Sequence, residues 1–188
     1  MSILHIKKQQ KEGKCCIMKR KDTSTEMLKS YIAESLLILM RKKPFNEISI
    51  KEITTKAGVN RSTYYRNFNS KTDIIMHYFI TLHNDYIKNI RNTDITTEEN
   101  IYGLFNYYYK HKENLLIIHK NGISHLILDS LNELFKPIIK KQTYDEIYKA
   151  YFYAGGVFNS LLLWLSNNMN NKSRHIYELH TISEAFNF

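Results

Sequence analysis

The chain has only two prolines, six glycines, two cysteines and one tryptophan in 188 residues. A sandwich or barrel, which turns about every ten residues, needs far more proline and glycine, so the scarcity leaves an all-α chain as the expectation. Cys15 and Cys16 are neighbours in a basic stretch. They are badly placed for a structural disulfide and lack the second ligand pair of a zinc site, so they read as free thiols with no assigned role. No apolar run reaches the roughly 18 residues of a membrane span. The opening MSILHIKKQQKEGKCC has no apolar stretch followed by a small-residue cleavage site, which leads to the expectation of a cytoplasmic protein. Met18, followed by KRK, competes with Met1 as the natural start, and both readings stay open. Ser-His-Asp, Cys-His and glycine-rich phosphate signatures are missing too, so neither an enzyme nor a cofactor is expected.

What is present is a core and a segregated charge. A hydrophobic content of 43% is enough for a globular fold. The net charge of +9 is unevenly spread: residues 1–71 hold 16 Lys/Arg against 6 Asp/Glu, and residues 72–188 hold 11 against 12. The excess therefore lies in the N-terminal third, as expected of a surface that meets a polyanion. A basic arm over 1–22, read as disordered, carries 7 basic and 2 acidic residues. It accounts for only half of the excess.

The periodicity gives three regions: the arm (1–22), a compact basic domain (23–70) and a helical remainder (71–188). Apolar residues at 28, 32, 36, 39 and 40 mark one helical face, ended by Arg41, Lys42, Lys43 and Pro44. Ser49 with Glu52 makes a capping box that opens a short helix, and Gly58 stops it. Asn60 is placed to cap a third helix running to Phe68, and Ser70 with Asp73 makes a second box opening a long fourth helix. Two short helices joined by a glycine-containing turn form a helix-turn-helix. Ile48, Ile53, Ala57, Val59, Tyr64 and Phe68 are its expected core.

In such a motif the second helix enters the DNA major groove with its first residues nearest the bases. Arg61 suits a bidentate contact to guanine, worth about 1–3 kcal/mol of discrimination. Ser62, Tyr65 and Arg66 point away from Tyr64 and Phe68, and the helix starts at Ser49 and at Ser70–Lys71 suit phosphate oxygens. The stretch ISIKEITTKAGVNRSTYYRNFNSKTDII, 48–75, closely resembles the DNA-binding signature of the tetracycline-repressor (TetR) family of bacterial transcription regulators. The likeness lies in the amphipathic helix, the alanine-glycine-valine turn, the threonine before two aromatics, and the phenylalanine, capping serine and lysine. It covers about 50 residues once the first helix is included. The resemblance places DNA contacts on Ser49, Ile50, Lys51, Arg61, Ser62, Thr63, Tyr65, Asn67 and Lys71, and core positions on Tyr64 and Phe68. The basic arm departs from the family pattern.

The remaining chain reads as further helices over 96–111, 115–120, 124–139 and 144–168, the last expected to be buried nearly all round, and a final one capped by Ser173. Regulators of this size pair to read two half-sites. The resemblance implies that the last two helices form the dimer bundle, with Ala154, Gly155, Phe158, Leu162, Ile176 and Leu179 as interface candidates. It also implies a small-molecule effector pocket in the middle helices, where Tyr102, Phe105, Tyr108, Tyr109, His119, His125 and Trp164 are lining candidates. The spacing of His111, His119 and His125 lacks the i, i+4 pattern of a helical metal site. The leading expectation is thus a ligand-responsive repressor that binds palindromic double-stranded DNA as a homodimer. The alternative is a co-activator or sensing partner of the same fold without DNA recognition of its own.

Overall fold

The computed structural model describes residues 25–90 and 94–170. The basic arm, Cys15, Cys16, Met18, the final helix and the interface candidates Ile176 and Leu179 lie outside the described residues. All regular structure in the described part is helical: an N-terminal helix-turn-helix bundle followed by a C-terminal helical bundle.

Helix α1 (25–40) buries Ile32, Leu36, Leu37 and Met40 along one face. After Pro44 a single 3-10 turn, Phe45–Glu47, leads into α2 (Ile50–Ala57). Both halves of the Ser49–Glu52 capping box form, and Gly58 ends α2 in the left-handed region at φ 67°. Only glycine adopts that conformation without a Cβ penalty. The Gly58 and Val59 amides close the turn onto the carbonyls of Thr54 and Thr55. Helix α3 (Arg61–Asn67) follows. Asn60 does sit at its N-cap, but its side chain makes no cap bond. Its backbone carbonyl instead accepts from the amides of Thr63 and Tyr64. The Ser70–Asp73 box then opens α4 (Lys71–Asn89), the helix that leaves the basic domain for the body.

The body is α5 (Glu98–Lys110), α6 (Lys112–Lys120), α7 (His125–Phe135), a 3-10 turn at Lys136–Ile138, and α8 (Tyr144–Ser166). Thr97 and Thr143 cap α5 and α8. Helix α7 packs on both α4 and α8. One buried cluster runs through both bundles, from Ile32 and Tyr64 to Leu161 and Trp164.

Helix α8 corrects one expectation. It buries a single side, Ala150, Ala154, Val157, Leu161, Trp164 and Leu165, and leaves Tyr144, Tyr148, Tyr151, Phe152 and Leu163 exposed. Its sequence is apolar on both sides, whereas the described residues pack against only one.

Candidate nucleic-acid interface

Helix α3 divides its residues by direction. Tyr64 is fully buried and Phe68 nearly so, with ring centroids 6.2 Å apart. On the other side Arg61, Ser62, Tyr65 and Arg66 are exposed. The Tyr65 ring meets Tyr64 edge-on at 5.1 Å, and that contact holds it upright while 60% of its surface stays in solvent. Lys51 and Lys56, on α2, are exposed as well. The face thus carries cations and an aromatic ring clear of the core, the equipment for meeting phosphates and base edges.

Other candidate residues are occupied within the protomer. Thr63 and Asn67 are half-buried, and the Asn67 amide donates to the Thr63 carbonyl at 2.7 Å. Ile50 is half-buried at the start of α2. Ser49 donates to one Glu52 carboxylate oxygen from both its amide (2.9 Å) and its hydroxyl (2.7 Å). Lys43 closes on the same carboxylate at 2.6 Å, and together these donors hold the Glu52 pKa down to about 2, with the Lys43 bond foremost. At the second box the amides of Asn69 and Ser70 donate to Asp73. Both helix starts expected to receive phosphate therefore already hold a carboxylate of their own.

Lys71 departs furthest from the expectation of a phosphate contact. Its ammonium donates to the carbonyls of Phe45 (2.7 Å), Asn46 (3.2 Å) and Ile48 (2.8 Å), and it lies 4.7 Å from the centre of the Phe45 ring. Three donors meet three acceptors, so the charge is spent on fixing the α1–α2 connection to the start of α4. Burial pushes its pKa down, with the nearby Lys43 adding to the effect. This role depends on a contact more than twenty residues away in sequence, which no local pattern reports.

The effector candidates fall into two groups. Phe105, Tyr108 and Trp164 are fully buried, and Tyr109 stacks on Trp164 with ring centres 5.6 Å apart. Tyr102 and His125 lie at the surface, and His119 Nδ1 is 2.9 Å from the Ser124 hydroxyl. Beside the aromatic cluster is a buried polar pair: His83 Nε2 lies 2.7 Å from the Tyr108 hydroxyl. Burial drives the His83 pKa down to about 4, partly opposed by a hydrogen bond to the Ser130 backbone. Of the interface candidates, Ala154 is fully buried inside the protomer. Gly155, Phe158 and Leu162 are partly exposed, at or beside the open face of α8.

Sequence reasoning missed the residues that join the two bundles. Asn121, at the end of α6, accepts from the Phe45 amide at 2.7 Å and donates to the Ile117 carbonyl at 2.9 Å. Arg41 donates to Asn114 at 3.2 Å. The cationic ending of α1 was the one available signal, and helix-dipole compensation accounted for it equally well.

Residues 33–78 match the family model "Bacterial regulatory proteins, tetR family". The chain carries a TetR-family helix-turn-helix domain. The match spans the second half of α1, α2, α3 and the first part of α4, and so includes the helices that carry the exposed cationic face. A solved structure titled "Structural analysis of fatty acid degradation regulator FadR from Bacillus halodurans" superposes with a TM-score of 0.52 at 18% identity, covering 82% of this chain and 93% of that one. That likeness shows a shared all-helical fold that takes in the body as well as the helix-turn-helix. No curated protein matches the chain significantly. Among the described residues no helix is long and apolar enough to cross a membrane.

Proposed function

We propose that the protein is a cytoplasmic, ligand-responsive repressor that binds palindromic operator DNA as a homodimer and is released by a small-molecule effector. The observation that carries this reading is the division of α3: its aromatic anchors face inward while Arg61, Ser62, Tyr65 and Arg66 are exposed on a basic surface. One such head makes few base contacts, and two heads related by a two-fold axis supply the rest. The open face of α8 supports the pairing. Tyr144, Tyr148, Tyr151 and Phe152 follow helical spacing on one side, and Leu163 extends the apolar surface, the kind of patch that marks an interface. Because α4 starts at Lys71, immediately after the reading head, an effector that shifts α4 changes the separation of the two heads. A near-complete switch needs the effector to favour the released state by about 5.5 kcal/mol.

The self-satisfied ends at Ser49, Ser70 and Lys71 favour a second reading, a sensing partner of the same fold that lacks autonomous DNA recognition. Enrichment from a pool of random duplexes separates the two. The repressor reading expects a two-fold symmetric sequence whose half-sites are centred about 34–36 Å apart or a multiple of it. Recovery of no preferred sequence by the purified protein would establish the second reading.

A further inference from the structure

A cleft of about 450 Å³ lies between α1, α4 and α6, walled by residues of both the reading head and the body. Helix α1 and the turn that follows it contribute two charged residues of opposite sign, Glu34 and Arg41. They are seven residues apart, which is about 10 Å along the helix axis. Neither pairs with an opposite charge among the described residues. Arg41 is held by Asn114 of α6, whose amide reaches the Tyr78 hydroxyl of α4 at 3.4 Å, so the positive end is rich in donors and fixed in place. Between the two charges the α1 side of the wall is apolar, formed by Leu37 and Ile38, and Ser30 and Thr81 add hydroxyls to the lining. His77 lines the same cleft, and its Nε2 is sealed from water without a hydrogen bond. The Glu26 carboxylate is 4.0 Å from that nitrogen, too far to serve.

A ligand complementary to this wall carries one charge of each sign with a short apolar span between them. We propose that the cleft binds a small zwitterion of the ω-amino acid or short-peptide kind, its carboxylate on Arg41 and Asn114, its ammonium on Glu34, and its apolar span across Leu37. A plain anion would leave Glu34 facing it with like charge, and a plain amine would do the same with Arg41. The His77 imidazole lies in the same wall and so reports occupancy, while its sealed Nε2 stays out of the ligand's reach. The occupant would touch α1 of the head and α4 and α6 of the body at once. The binding claim itself is independent of DNA recognition and of the dimer.

The test uses the full chain and three probes of matched length: ε-aminocaproate, caproate and hexylamine. Binding is read by calorimetry and by shifts of the Asn114 side-chain amide and His77 imidazole resonances. The zwitterion is expected to bind at least about tenfold more tightly than either singly charged probe. Glu34→Gln should erase its advantage over caproate, and Arg41→Gln its advantage over hexylamine. Both side chains are exposed, and glutamine at 41 keeps a donor for Asn114; urea unfolding of each variant checks that the fold is retained. The proposal is overturned if caproate or hexylamine binds as well as the zwitterion, if both variants leave binding unchanged, or if no probe moves those resonances.

Discussion

On α3 a single exposed tyrosine, Tyr65, shares its helix with the exposed Arg61 and Arg66. On α8 five exposed large apolar residues share one side of a 23-residue helix, from Tyr144 at 79% exposure to Leu163 at 61%. Exposure alone does not distinguish them, since Tyr65 is 60% exposed. The neighbours do. A single exposed ring on a cationic surface suits bases and phosphates, whereas a contiguous apolar strip suits another apolar surface. Under the proposed function the reading head and the body expose aromatic side chains for different partners, and each half of that contrast can be broken separately.

The largest effect belongs to the inward face of α3. Tyr64→Ala should cost about 3–5 kcal/mol in urea unfolding, as for other fully buried aromatics. Tyr65→Ala should shift stability by no more than about 0.5 kcal/mol while weakening DNA binding. Tyr64 Oη is buried without a partner, so Tyr64→Phe should be neutral or stabilising. Equal destabilisation by the two alanine variants would erase the division of the helix.

Next comes the body. His83 has its folded pKa lowered by burial from 6.5 to about 4, so the unfolded chain takes up this proton first as the pH falls. The associated stability is complete above pH 6.5 and is lost progressively between there and about pH 4, by up to about 3 kcal/mol. His83→Gln should flatten that part of the profile in denaturant titrations across the range. A profile unchanged by the substitution would show that His83 is not the titrating group.

Lys71 tests which residues of the head face outward. Lys71→Met should destabilise the protein by roughly 1.5–3 kcal/mol, the range for hydrogen bonds to a charged group, and leave the salt dependence of DNA binding unaltered. A phosphate-contacting lysine would instead lower the slope of log K against log salt by about one. The smallest effect is on α8: Phe152→Glu should weaken self-association at least about tenfold, or 1.4 kcal/mol, by sedimentation equilibrium, with little change in protomer unfolding. An unchanged association constant would place the dimer face elsewhere.

The reading head was legible because its instructions are local. Ser49 with Glu52, Ser70 with Asp73, and Gly58 each act within a few residues, and all three formed as expected. Asn60 shows the limit of such rules, since its backbone alone does the capping. The body was legible as helices but not as faces. Its segments are apolar on more than one side, so periodicity could not say which side of α8 would meet α7. The links between head and body, Arg41 to Asn114 and Asn121 to Phe45, join residues more than seventy positions apart. Nothing in a local pattern reports them. Gly103 is a similar case: a Cβ there would come within 2.8 Å of the Tyr86 hydroxyl, a close approach known only once α4 and α5 are packed.

The central claim is that the outward face of α3 reads DNA. It is tested most directly by fluorescence anisotropy of wild type and Arg61→Ala on an enriched symmetric duplex and on a scrambled duplex of equal length, at one fixed salt concentration. Wild type should prefer the symmetric duplex by about 4 kcal/mol or more, and Arg61→Ala should lose about 1–3 kcal/mol of that preference. Equal affinity of wild type for the two duplexes, or a preference untouched by the substitution, would contradict it.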